Sequence, residues 1–251
     1  KLPDEVRIRH DLSSLKFAAD AAAPCPPEVK RRMIEWWKPV INEYYGGTET
    51  GATTFHNSQE ALAKPSTVGR AMENCEVVIQ DEDGKALPLG EIGEIFMRNH
   101  NFPDFTHNNA DAKRQEMERK GLFTCGDLGY LDEDGYLFIC DRVKDMVISG
   151  GVNIYPAEIE VVLIEMPGVN DCAEFGIPDE EFGEFLCTHA LLETGTDLTV
   201  DGVRAYLGQH MANYKVPKVV KFVTTLPRED SGKIFKRKLR ELYWEGAGRQ
   251  I

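Results

Sequence analysis

The sequence predicts an α/β segment that continues into an antiparallel β-subdomain and is followed by a small α+β domain. Three observations carry that reading. A strand–helix–strand pattern runs up to Gly47, Asp-Gly turns punctuate apolar runs from Cys75 to Asp141, and beyond Arg142 helical and strand periods alternate. A chain of 251 residues is long enough to bury a substantial core.

The elements follow in order. Leu15-Lys16-Phe17-Ala18-Ala19 is a short apolar run, stopped by Ala23-Pro24-Cys25-Pro26-Pro27. The prolines suit the first turn of a helix, and Val29, Met33 and Trp36 or Trp37 give it one apolar stripe. Val40–Tyr45 is strand-like and breaks at Gly46-Gly47. From Glu76 the period changes: VVIQDEDGKAL and YLDEDGYLFIC turn on Asp-Glu-Asp-Gly between apolar residues, which predicts two hairpins with EIGEIFMRN as a strand between them. Gly150-Gly151 reads as a flexible break. Pro156 then opens a helix with Ile159, Val162, Leu163 and Met166 on one face. Strands over Val169–Gly176 and Phe185–Leu192, a helix near Val200–Met211, a strand over Val219–Thr224 and a terminal helix from Ile234 complete the α+β domain.

Composition narrows the function. A formal net charge of −13 argues against nucleic acid as a partner, because a phosphate backbone selects basic faces. Six cysteines stand far apart with no CxxC pair or zinc spacing, and read as reduced, mostly buried thiols of a cytoplasmic protein. The six histidines form no HExxH and no cluster, which argues against a metal held by His or Cys. No apolar run is long enough to span a bilayer and no signal peptide is legible. The opening KLPDEVRIRHDLSS looks like the middle of a domain, so the chain reads as a fragment, a processed product or a trimmed chain.

Against this acidic background the stretch LPREDSGKIFKRKLREL sets six Lys and Arg against three acids, with Lys233 directly after Ser231-Gly232. A phosphate-binding GxxxxGK[ST] loop would need Gly at Pro227 and Ser or Thr at Ile234, so this is not one. Lys233 reads as a point charge for phosphate or carboxylate oxygens, or as a plain basic helix start. Lys236, Arg237, Lys238 and Arg240 read most simply as a solvated helix face. Tyr44-Tyr45-Gly46-Gly47-Thr48-Glu49 lies where a strand ends, the edge at which open α/β sheets bind ligands. Its glycines let backbone amides approach an anion, and its carboxylate suits Mg²⁺; a Gly-rich turn with an exposed Glu is the alternative. Asp127, with Arg142 fifteen residues on, suits the vicinal hydroxyls of a ribose or a surface ion pair. Ser149–Pro156 carries no nucleophile–base pair and reads as backbone for close approach or as a linker.

YYGGTETG, CGDLGYLDEDGYLFICDRVKDMVISGGVNIYPAEIE and PREDSGKIFKRKL, in this order, resemble the adenylate-forming superfamily, and DMVISGGVNIYPAEIE is most similar to its bacterial acyl-CoA ligases. The resemblance implies an acid–thiol ligase that uses ATP, Mg²⁺ and coenzyme A on a fatty or aryl acid, through an acyl-adenylate. It implies the C-terminal part of the large AMP-binding domain over residues 1–142 and a mobile lid over 143–251. Ala22, Ala23, Pro24, Tyr45, Gly46 and Gly47 would wall the adenine; Thr48 would meet the α-phosphate and Glu49 would hold Mg²⁺. Asp127 and Arg142 would take the ribose, Lys144 would be the hinge, Gly150 and Gly151 would line the pantetheine path, and Lys233 would be the lysine inserted into the adenylation site.

The family's Ser/Thr/Gly-rich phosphate loop is absent and would belong upstream of Lys1. Any homo-oligomer would form through that missing large-domain segment. Cys125 stands where the family usually has Thr. The alternatives left open are an adenylating enzyme that loads a carrier protein and a non-catalytic fragment.

Overall fold

A computed structural model describes residues 4–23, 25–106, 111–229 and 232–245. The chain divides into two units, Lys1–Ile139 and Cys140–Ile251.

The first unit runs α1 (Asp4–Arg7), β1 (Ala18–Asp20), α2 (Pro27–Trp37), β2 (Ile41–Gly47), β3 (Gly51–Asn57), α3 (Ser58–Ala63), β4 (Thr67–Ala71), β5 (Cys75–Gln80), β6 (Gly93–Asn99), α4 (Asp111–Met117), β7 (Glu118–Arg119), β8 (Leu122–Leu131) and into β9 (Tyr136–Arg142). One sheet takes all of these strands in the order β1-β2-β3-β4-β9-β8-β6-β5, with β7 paired to β8. Its β1/β2 pair is parallel, joined by the α2 crossover, while the other pairings are antiparallel. The antiparallel part continues the same sheet: β3 and β4, which hydropathy did not reveal, carry it on from the α/β segment.

Two local expectations change here. The run VVIQDEDGKAL does turn at Asp81–Lys85, but it folds back through a single bridge, Gln80 to Ala86, and β5 instead pairs along its length with β6. Helix α2 starts on Pro27, yet it buries Lys30 and Ile34 and leaves Val29 45% exposed. A lysine can occupy a buried position when a carboxylate meets it there, and hydropathy cannot register that.

The second unit contains β10 (Val147–Ser149), β11 (Val152–Ile154), α5 (Pro156–Glu165), β12 (Val169–Asp179), β13 (Gly183–Leu192), α6 (Val200–His210), β14 (Val219–Val223) and α7 (Lys236–Trp244). The sheet order is β11-β10-β13-β12, with β14 parallel to β13. Alternate β12 side chains serve two cores. Val169 and Cys172 pack with Ile159, Leu163, Val203 and Leu207 of α5 and α6, whereas Ala173, Phe175 and Ile177 pack with Leu239 of α7. The outward backbone groups of β12 are covered by helical side chains: Glu160 Oε1 accepts from Glu174 N at 2.7 Å, and Trp244 Nε1 donates to Gly176 O at 3.1 Å.

Gly150-Gly151 is a tight hairpin turn and not a flexible break. Both residues have positive φ (57° and 83°), as a two-residue turn between β10 and β11 requires, and Gly150 N donates to Phe182 O at 2.9 Å. The basic helix α7 is not a solvated face throughout: Arg240 is buried, and the Lys236 side chain is only 13% exposed. All six thiols are free, but only Cys172 and Cys187 are buried; the other four are half-buried.

Candidate active site

In the first unit β1 and β2 run parallel with Asp20 opposite Glu43, so the residues that follow both strands leave the sheet at one edge. Ala22 and Ala23, both exposed, follow β1, and Ala22 takes the left-handed conformation at φ 73°. Pro24 lies outside the described residues. Gly46 and Gly47 end β2. A Cβ on Gly46 would stand 1.9 Å from the Gly51 carbonyl oxygen, and one on Gly47 would stand 2.4 Å from Cys125 Sγ. Only glycine lets the backbone pass here. Gly47 N donates to Thr50 Oγ1 at 2.8 Å, Thr48 is exposed and Glu49 is half-buried.

This turn meets the β8 segment that was singled out independently from the sequence. Tyr45 hydroxyl donates to Asp127 Oδ2 at 2.7 Å across 82 residues of chain, and Asp127 is buried. The preceding Gly126 turns at φ 77° and donates its N–H to Thr124 Oγ1 at 2.9 Å. Tyr45, Gly46, Gly47 and Asp127 thus converge, with Cys125 against Gly47. Sequence reasoning weighed Cys125 only as a replacement for Thr and did not place it there.

A buried ionic cluster holds β2 from behind. Lys30 of α2 pairs with Glu43 Oε2, and His56 Nε2 lies 2.7 Å from the same oxygen. Burial pushes the Glu43 carboxyl up, but the hydrogen bonds from His56 and Lys30 win and hold it below its ordinary value. Nothing in hydropathy marks this cluster; an acid two residues before Tyr45 and a lysine at a core position of α2 are its only signs.

The remaining predicted residues lie in the second unit. Arg142 and Lys144 are exposed. Between β9 and β10 the backbone turns tightly, with Asp145 N and Met146 N both donating to Arg142 O. Asp141, missed in the sequence, braces this turn: its Oδ1 accepts from Arg142 N at 2.7 Å and its Oδ2 from Ala157 N, in the first turn of α5, at 2.8 Å. Burial raises the Asp141 carboxyl, opposed by the Lys236 ammonium. Gly150 and Gly151 form the β10–β11 turn described above.

Lys233 sits on a hairpin with Gly232 at φ 87°. Glu229 N donates to Lys233 O at 2.9 Å, Phe235 N donates to Pro227 O at 2.8 Å, and Arg228 bridges from Gly232 O to the Asp171 carboxylate of β12. These bonds fix the backbone that carries Lys233. Among the described residues no three acidic, His or Cys side chains converge as a metal nest. One carboxylate suits Mg²⁺ that completes its shell with phosphate oxygens and water.

A family model described as AMP-binding enzyme matches residues 2–102, and one described as AMP-binding enzyme C-terminal domain matches residues 158–233. The chain belongs to the AMP-binding enzyme family. Among curated relatives it is 37% identical, over 94% of its length, to 3-[(3aS,4S,7aS)-7a-methyl-1,5-dioxo-octahydro-1H-inden-4-yl]propanoyl:CoA ligase of Rhodococcus jostii, of which it covers 44%. It is 35% identical, over 93% of its length, to the long-chain-fatty-acid–CoA ligase FadD13 of Mycobacterium tuberculosis, of which it covers 46%. Among solved structures, ATP-bound MatB from Rhodopseudomonas palustris superposes with a TM-score of 0.83 at 33% identity, over 93% of this chain and 46% of that one. The chain therefore spans about half the length of the curated relatives it matches.

Proposed function

We propose that the protein is an ATP-dependent acid–thiol ligase, or the part of one that carries the adenylate-binding edge and the lid, and that it joins a fatty or aryl acid to coenzyme A through an acyl-adenylate. The convergence of the Tyr45–Gly47 turn with Asp127 carries this reading, because it puts a glycine-lined anion edge and a buried carboxylate for ribose hydroxyls in one place.

In this reading Ala22, Ala23, Pro24, Tyr45, Gly46 and Gly47 wall the adenine, Thr48 donates to the α-phosphate, and Glu49 holds Mg²⁺ with the phosphates. Asp127 and Arg142 take the ribose. The substrate carboxylate and the α-phosphate are both anionic, and the Lys233 ammonium between them offsets their repulsion and stabilises the charge of the transition state. Residues 143–251 act as the lid: rotation about Lys144 withdraws Lys233 after adenylation, and the Gly150-Gly151 turn then borders the pantetheine arm. Among the described residues no helix is long and apolar enough to cross a membrane.

The test separates the two half-reactions in the complete protein. Lys233→Ala should slow acid-dependent pyrophosphate exchange by about 10²–10³-fold, the size of losing one charge-stabilising group, and spare thioester formation from supplied acyl-adenylate. Equal loss of both half-reactions would remove Lys233 from its role.

A further inference from the structure

Helix α7 follows the Lys233 turn directly, and its two inward cations meet partners outside the helix, Lys236 on α5 and Arg240 at Lys144. Lys236 Nζ lies 2.8 Å from Glu160 Oε1 of α5, the same oxygen that accepts Glu174 N, and it faces the buried Asp141. One turn later Arg240 Nη1 donates to the Lys144 carbonyl at 2.5 Å, with Asp145 Oδ1 at 3.9 Å. Arg240 is 8% exposed, so neither water nor salt screens this contact well. On its other side the turn is tied to β12 through Arg228 and Asp171.

We infer that Lys236 and Arg240 are positioning residues that fasten the Lys233 turn to the hinge, Lys236 through Glu160 of α5, whose Ala157 N donates to Asp141, and Arg240 directly at Lys144, so that Lys233 keeps a fixed place relative to its own hinge. This rests on the lid reading above. A lid that rotates about Lys144 delivers its lysine to one point only if turn and hinge move as one body. A loose tether would spread the ammonium over many positions, and a misplacement of about 1 Å can cost about 10²-fold in rate. Two inward cations at consecutive turns of α7, a largely covered lysine on a carboxylate and a buried arginine on the hinge carbonyl, make that connection stiff. The motif reading assigned both to a solvated face, so the role comes from geometry alone.

The experiment uses the complete protein and measures the two half-reactions separately. Lys236→Met, made together with Glu160→Gln so that no bare carboxylate stays buried, should lower pyrophosphate exchange by about 10²-fold with the KM for ATP unchanged. It should leave thioester formation from acyl-adenylate near wild type, and Lys236→Arg should restore the exchange. In a Lys233→Ala background the pair of changes should add nothing, since a turn without its ammonium has nothing left to place. Additive losses, failure of Lys236→Arg to rescue, or equal loss of both half-reactions would overturn the inference.

Hydrogen exchange reads the fastening without activity. Arg240→Met should speed exchange of the Asp145 and Met146 amides while β12 and β13 stay protected, and unchanged exchange there would overturn the inference. If Lys233→Ala itself leaves pyrophosphate exchange intact, the functional reading fails, and these amides still decide whether Arg240 holds the segment.

Discussion

Beneath β2 a single glutamate answers a lysine and a histidine; at β12 two glutamates lie near each other and only Glu160 meets a lysine. Each cluster braces a strand of its own unit, but their balance of charge is opposite. With cationic and donor partners in excess, Glu43 is held ionised, below its ordinary value. Glu174 is fully buried, has only Thr188 donating to it, and lies near Glu160, so burial pushes its carboxyl up to about 8. The first unit thus holds its carboxyl low with two donors, and the second holds one that burial pushes up on the α5 face of β12. Sequence pattern shows neither balance, because all of these residues look like ordinary surface charges.

The comparison breaks most sharply at Glu43. Glu43→Ala leaves Lys30 buried without its carboxylate, and removing one partner of such a pair costs about 3–5 kcal/mol. Trp36 and Trp37 of α2 report the first unit, so urea unfolding followed by tryptophan fluorescence in a Trp244→Phe background measures the loss. Gly46→Ala comes next: its methyl would meet backbone of Gly51 and not a movable side chain, so the β2–β3 pair must separate, at a cost of roughly 1–3 kcal/mol in the same assay.

The opposite charge balance predicts opposite pH responses. Glu43 titrates lower in the fold than unfolded, so its stabilisation is present above pH 4.5 and is lost as acidification passes its folded value. Glu174 titrates near 8 in the fold against an ordinary 4.5; its contribution is whole below pH 4.5 and falls away as pH rises to about 8. Unfolding of the second unit, followed through Trp244 in a Trp36→Phe, Trp37→Phe background, should weaken between pH 5 and 8 in the parent, and Glu174→Gln should flatten that slope. A slope that survives the substitution would assign it to other groups. The smallest effect belongs to Lys215→Ala, whose partner Glu158 is partly exposed; it should change stability by less than about 1 kcal/mol.

Much of the second unit was legible. Pro156 opens α5, and Ile159, Leu163 and Met166 face the core as their spacing requires. The strands from Val169 and up to Leu192 are long apolar runs, and they extend beyond the expected ends because Pro178 and Gly183 still fit the ladder near its turn. In the first unit β3 was invisible because its inward residues are Thr53, Thr54 and His56. Each is satisfied by hydrogen bonds, Thr54 to Val68 O at 2.5 Å and Thr53 to Tyr45 O at 3.1 Å, so the strand is buried without being apolar. The site residues were legible as short motifs, but not their supports: Asp141, Lys30, His56, Lys236 and Arg240 act through partners far off in sequence.

By itself the sequence determined the order of the main elements of the second unit, several turns that need glycine, and the identity of the groups that can meet an anion or a sugar. Those depend on local stereochemistry and on functional groups, both of which are written residue by residue. Only the tertiary structure decided that Asp127 meets Tyr45, that Gly47 passes against Cys125, and that half of a basic helix points inward. Burial of a charge is favourable only when its counter-charge arrives from elsewhere in the chain, and that arrival is a property of the fold.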